Sequence, residues 1–213
     1  MLSKLSRTFW AKKLFSLTYH MRTNQPNCER RATTRLDSFS NKHYHAGHLL
    51  KRVFWLIASR LFFLTWIPWP YAVKRSILRL FGAQIGVGVV IKQRVNIKYP
   101  WKLSLRNHCW IGENVWIDNL GHVTIGSHCC LSQGALLLCG NHNYKKPTFD
   151  LMVGDITLED GVWVGARASV GPGVTCGSHS VLAMGSVATQ DLEAWGVHKG
   201  NPAAKIKTRR NHP

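Results

Sequence analysis

From Ile85 onward, large apolar residues recur at one fixed interval. Ile85, Ile91 and Ile97 are six apart, as are Leu105, Ile111 and Ile117, and then Ile125, Leu131 and Leu137. Each trio starts twenty residues after the last, because the third step of every round carries two extra residues. Val89, Val95, Cys109, Val115, Cys129 and Ala135 each follow a larger ladder residue by four places. A helix puts a period of six on no single face, and a flat strand needs a period of two. A coil with three short flat sides, each about six residues long, turns both sets inward and predicts a hexapeptide β-solenoid. The ladder resumes in plain sixes at Leu158, Val164, Val170, Cys176 and Leu182. Strands of an ordinary β-sandwich are not held to one interval for so long. Glycine follows the ladder residue at Gly86, Gly112, Gly126, Gly165, Gly171 and Gly177, which assigns the left-handed backbone of each corner to those glycines.

The formal charge of +18 suggests a nucleic-acid binder until it is located. Residues 1–82 hold fifteen Lys or Arg against two acids, residues 83–198 hold eight of each, and residues 199–213 hold five bases and no acid. The solenoid is therefore neutral and the excess sits at both ends, which argues against a nucleic-acid partner. The six cysteines show no CxxC spacing, and Cys109, Cys129 and Cys176 fall on inward positions. They read as small apolar residues of a reducing compartment, with no disulfide and no metal site expected.

Four segments follow in order. Residues 1–47 are basic, polar and aperiodic, and are expected to be disordered. Met1–Tyr19 could form a short basic amphipathic helix without the core and cleavage site of a signal peptide, and Met21 is an alternative start. Residues 48–82 form an apolar helical segment, interrupted by Arg60, Pro68 and Pro70 and flanked by Lys51, Arg52, Lys74, Arg75 and Arg79. The interruptions argue against a membrane-spanning helix, and the segment reads rather as a helix on a membrane surface or as a cap on the open end of the solenoid. Residues 83–193 are the ladder, broken once by the irregular stretch 139–155. Residues 194–213 leave the ladder as a short basic tail. A loop thrown out of a rigid scaffold is where function tends to sit.

The stretches LRLFGAQIG (78–86), YPWKL (99–103), IGENVWIDNLGHVTIG (111–126), GNHNYKKPTFDL (140–151), GVWVGARASVGPGVTCG (161–177) and GNPA (200–203) resemble the left-handed β-helix acyltransferases with hexapeptide repeats. Within that family the sequence is most similar to the colanic acid biosynthesis acetyltransferase group, over residues 41–207. The resemblance implies an all-β solenoid, a left-handed parallel β-helix, with acetyl-CoA as acyl donor, no metal, and a homotrimer with sites between subunits. It implies an O-acetyltransferase acting on a sugar of an exopolysaccharide or its lipid-linked precursor, while the apolar segment with its basic flanks leads to the expectation of a cytoplasmic protein that can rest peripherally on the inner face of the cytoplasmic membrane. A non-catalytic trimeric scaffold at the membrane is the alternative, and the intact histidine loop argues against it.

His142 matches the family's catalytic histidine. A sugar hydroxyl is a poor nucleophile, and an imidazole can accept its proton as it attacks a thioester. Asn114, Asp118 and Asn119 match the acceptor-binding region, although corner residues serving backbone turns are nearly as good a reading of them. Trp163 would line the acyl or acceptor pocket. Gly165, Ala166, Met184, Gly185 and Thr189 match positions along which pantetheine runs, and Lys205 and Lys207 those that meet the CoA phosphates. Gln190 stands where the family usually has a lysine, and Cys176 where it usually has Ile or Val. His108 and His128, twenty apart, are expected to stack on neighbouring coils as surface residues.

Overall fold

A computed structural model describes residues 33–210, and they form a parallel β-solenoid entered through two helices. Within its coils the strands are two or three residues long and stack in register on three sides. Side one runs through Gln84–Ile85, Leu103–Leu105, Val123–Ile125, Ile156–Leu158 and Thr175–Cys176. Side two runs through Val90–Ile91, Trp110–Ile111, Cys130–Leu131, Trp163–Val164 and Val181–Leu182. Side three runs through Asn96–Ile97, Trp116–Asp118, Leu136–Leu138, Ser169–Val170 and Val187–Ala188. The twenty-residue offset appears directly as pairing, with Ile91 beside Ile111 and Ile111 beside Leu131. Every ladder residue named above is buried, so the period of six is the period of the core.

The corners correct one expectation. The left-handed residue stands two places beyond the predicted glycine, at Gly88, Asn114, His128, Arg167, Gly173 and His179. The glycines are needed for a different reason. A Cβ on Gly165 would lie 2.5 Å from the backbone nitrogen of Met184, and one on Gly112 would lie 2.8 Å from the carbonyl of Leu131. The next coil passes too close for a side chain. At the corner between sides one and two, His108 and His128 stack with ring centroids 5.2 Å apart.

The first coil is closed by helices α1 (Leu49–Phe62) and α2 (Tyr71–Leu80). Gly82, at φ +94°, ends α2, and its N–H donates to the carbonyl of Arg79. Lys74 donates to the carbonyls of Ile91 and Lys92, Arg75 to that of Val89, and Arg79 to those of Ile85 and Gly86. On side three the indole N–H of Trp55 donates to the carbonyl of Ile97 at 2.9 Å. The first coil's outward carbonyls on all three sides thus accept from side chains, which they need because no earlier coil exists to donate. The bases that follow the apolar segment, Lys74, Arg75 and Arg79, are thus engaged with the carbonyls of the first coil. One stripe of α1 packs inward through Trp55, which meets Phe63 and Phe81. The opposite stripe, Leu50, Phe54, Ile57 and Leu61, is 52–61% exposed.

Residues 33–47 are not free chain, in contrast to the expectation for the extension that contains them. Arg35 N–H donates to the carbonyl of Pro147, and the Tyr44 hydroxyl donates to that of Leu120. Residues 1–32, including the amphipathic stretch, lie outside the described residues. At the other end the basic tail folds back. Gly196–Gly200 extends side two and pairs antiparallel with Ala203–Thr208.

Candidate active site

The corner between sides three and one carries the extra residues of each round. In the third coil it expands into 139–155, a β-hairpin of Gly140–His142 against Leu151–Val153. The solenoid grips its neck. Gly154 N–H donates to the carbonyl of Cys139, and the carboxylate of Asp155 accepts from His122 N–H at 2.7 Å. Farther out, Asn143 N–H donates to the carbonyl of Asp150, and Lys146 pairs with the Asp150 carboxylate at 2.9 Å. Hydrogen bonds from Thr148 and Lys146 hold that carboxyl below its ordinary range.

His142 sits at the end of the first hairpin strand, paired with Leu151. Its Nδ1 lies 2.8 Å from the carbonyl oxygen of Phe149. A carbonyl only accepts, so in the neutral imidazole Nδ1 carries the proton and Nε2 keeps a lone pair. Phe149 adopts φ +50°, a left-handed backbone that is unusual for a bulky residue and marks a constrained turn. Its ring stacks on the imidazole at 4.4 Å and 7°, and Phe39 meets the imidazole edge-on at 5.6 Å. Carbonyl, stack and edge together fix the ring.

His142 borders a cleft of about 650 Å³ whose walls include Phe39, Tyr44, His45, Arg52, Lys98, Tyr99 and Leu120. Of the acceptor candidates, Asp118 lies one coil below the hairpin. It is buried, and Lys98 approaches its Oδ1 at 2.8 Å off the hydrogen-bonding direction, so the oxygen is charge-compensated without a donor. Asn119 is fully buried, with Oδ1 accepting from Tyr99 N–H and Nδ2 donating to the Tyr99 carbonyl. It is a structural bridge between coils with no free amide group for a ligand. Asn114 is an exposed left-handed corner residue between sides two and three, on the other edge from the hairpin.

Trp163 is half exposed on side two, its indole N–H donating to Ser132 Oγ. Gly165, Ala166, Met184 and Gly185 line the corner between sides two and three, with Met184 exposed and Gly185 at φ +67°. Thr189 is exposed just past the third side of the last full coil. Lys205 is held by the Glu193 carboxylate at 2.5 Å. Lys207 borders a second cleft, of about 690 Å³, with Trp163, Val181, Val197, Arg209 and Arg210. Within one chain, His142 and this second group occupy different corners and sides.

Sequence reasoning missed Phe149, Arg52 and the cleft-lining tyrosines. Phe149 acts through its carbonyl, which no residue type announces, and Arg52 reaches the cleft only because α1 packs there. Two of the buried thiols, Cys139 and Cys176, are held in the protonated form, which is poorly nucleophilic. Burial pushes Cys139 up to about 11 and Cys176 up to about 12. Among the described residues, no cluster of three His, Cys, Asp or Glu side chains could hold a metal ion.

No protein-family model matches the sequence. The putative colanic acid biosynthesis acetyltransferase of Escherichia coli is 36% identical over 170 residues, covering 79% of this chain and 92% of its own. The galactoside O-acetyltransferase of the same organism is 25% identical over 137 residues, covering 63% and 68%. Among solved structures, a galactoside acetyltransferase in complex with coenzyme A superposes with TM-score 0.66 at 23% identity, covering 75% of this chain and 80% of its own. A hexapeptide-repeat acetyltransferase of Vibrio cholerae complexed with acetyl coenzyme A gives 0.63 at 21%, covering 68% and 81%.

Proposed function

Because this chain belongs to the colanic acid biosynthesis acetyltransferase group of the hexapeptide-repeat, left-handed β-helix acyltransferases, we propose that it moves an acetyl group from acetyl-CoA to a sugar hydroxyl. The observation that carries the reading is the Nδ1–H bond from His142 to the Phe149 carbonyl, which leaves Nε2 free to act as general base. The acceptor hydroxyl gives its proton to Nε2 as its oxygen bonds to the thioester carbonyl carbon. The tetrahedral adduct then expels the CoA sulfur, which takes the same proton back from the imidazolium. No residue is acylated, and no metal takes part in these steps.

The reading requires more than one copy of the chain. Trp163 and the Gly165–Ala166 and Met184–Gly185 line would hold the acyl group and pantetheine, with Lys207, Arg209 and Arg210 near the CoA phosphates. In one chain they stand away from the His142 corner. Around a threefold axis, side one of each subunit packs on side two of the next. That brings the His142 corner of one copy to the Met184 corner of its neighbour and leaves side three outward. The outward residues suit this packing. Side one presents Ser104, Thr124, Thr157 and Thr175, and side two presents Trp110 and Trp163, so small side chains face large ones. The homotrimer is thus part of the proposal, with the enzyme resting on the inner face of the cytoplasmic membrane through the bare stripe of α1. Among the described residues, no helix is long and apolar enough to cross a membrane.

The test is release of free thiol from acetyl-CoA in the presence of a panel of glycosides. Transfer by the native protein and a loss of about 10²–10⁴-fold in His142→Gln are expected. Near-normal turnover in the variant would remove His142 from the role.

A further inference from the structure

We infer that His128 of three subunits forms a ring of imidazoles on the threefold axis that holds one divalent transition-metal ion, with His108 stacked beside it as a positioning residue. This rests on the trimer proposed above. It concerns the corner between sides one and two, the one corner that neither His142 nor Met184 occupies.

Where sides one and two both pack on neighbouring copies, the corner they share is the edge of the prism that lies along the axis. Its left-handed residue in successive coils is Gly88, His108, His128, Gly161, His179 and Trp195, at φ from +57° to +71°. Glycine adopts that backbone freely, and most residues with a Cβ avoid it. Two coils use glycine, so the corner itself asks for no imidazole, yet three coils carry one. A side chain kept against the backbone's preference points to a use.

The rings are aimed along the edge. A Cβ on Gly88 would fall 2.3 Å from Nδ1 of His108, so that ring lies over the glycine corner of the coil before it. His128 stacks on His108 with centroids 5.2 Å apart and planes at 19°. Both residues are exposed in the single chain. Asp160 sets His128 apart. Its Oδ1 accepts from Ser127 N–H at 2.7 Å, which places a carboxylate beside the His128 corner. One coil earlier the same role falls to neutral Asn107, whose Oδ1 accepts from Val87 N–H. A cation therefore favours the ring of His128 over that of His108. Among the described residues, one chain gathers no group of three donors that could hold a metal. Threefold symmetry supplies two more imidazoles at the same level. Three neutral imidazoles and a water form a tetrahedral set suited to zinc or cobalt, whereas magnesium and calcium require oxygen ligands.

The test uses the full chain, stripped with a chelator and titrated with Zn²⁺ alone, while light scattering reports the oligomer. Saturation at one tight ion per three chains is expected, and the trimer should persist to a protein concentration at least about tenfold lower when the ion is bound. His128→Asn keeps a residue that tolerates the left-handed corner, so it should keep the trimer and lose the tight ion. His108→Asn should keep the stoichiometry and weaken binding about tenfold, because the ligand loses the ring that orients it. One ion per chain would place the ligands within a single subunit and overturns the inference. Tight binding that survives His128→Asn overturns it as well. A trimer that takes up no tight Zn²⁺ defeats this inference alone and leaves the proposed function standing. A chain that stays monomeric with and without Zn²⁺ defeats the trimer and this site with it.

Discussion

Phe149 holds His142 twice, with its ring stacked 4.4 Å away and its carbonyl oxygen 2.8 Å from Nδ1. The two contacts separate by substitution. Phe149→Ala keeps the carbonyl and removes the stack, so the imidazole gains freedom to leave its productive orientation. A fall in kcat of about tenfold, with the KM for acetyl-CoA nearly unchanged, is the expected outcome. A rise in KM with kcat intact would mean that Phe149 lines a binding pocket and does not orient the base.

A site shared between subunits makes a prediction no single-chain site can satisfy. If the site is shared in the proposed trimer, His142→Ala and Trp163→Ala should each inactivate it when homogeneous, but in co-expressed mixtures some interfaces would pair an intact His142 with an intact Trp163. Random assembly should recover about a quarter of native activity. No recovery in verified mixed trimers would place the whole site within one chain.

Lys207→Ala should raise the KM for acetyl-CoA and leave that for the acceptor, an effect that shrinks in high salt. Lys205→Ala should do less at neutral pH, because Glu193 already holds that lysine. The hydrogen bond and charge of Lys205 keep the Glu193 carboxyl below its ordinary 4.5. The tie is therefore complete above that value and is lost as pH falls through the lower folded-state pKa. Amide exchange in Ala203–Thr208 should quicken across that acid window and not at neutral pH.

How much of this was legible depends on what each residue does. The ladder could be read because one side chain in six must be apolar, wherever the coil lies. The corners were displaced by two residues because glycine serves two needs, left-handed backbone and lack of a Cβ, and composition does not say which applies. Gly86 and Gly112 serve the second, while Asn114, His128 and Arg167 accept the first. His142 stood out by its loop, whereas Asn119 looked like a ligand-binding amide and is a buried tie to Tyr99. Lys74, Arg75 and Arg79 resembled a membrane flank because position along the chain does not show where a long side chain points.

Lys74 is buried against the first coil, with hydrogen bonds to two carbonyls, and its burial lowers its pKa. Lys74→Met keeps most of the packing and leaves those carbonyls without a donor. It should destabilise the protein by about 1–3 kcal/mol in denaturant unfolding. Arg106→Ala, at an exposed position, should stay within about 0.5 kcal/mol. Equal effects would show that the cap contributes little.

The bare stripe of α1 gives a separable result. Full-length protein should float with anionic vesicles at low salt, and Phe54→Asp with Leu61→Asp should abolish flotation without changing turnover on a water-soluble glycoside. Protein that stays with the soluble fraction at low salt would rule out the membrane role.

The way the stack is closed also decides whether it stays a molecule. A coil that templates the next coil has no inherent reason to stop, and two exposed ends of such a stack are complementary, carbonyls at one and amides at the other. Here the carbonyl end is covered by three cations and an indole, and side two at the far end finishes in an antiparallel strand that no parallel coil can continue. Copies therefore cannot add end to end into a fibre. What is left for association is the long flanks of the prism, where the proposed trimer would close by rotation.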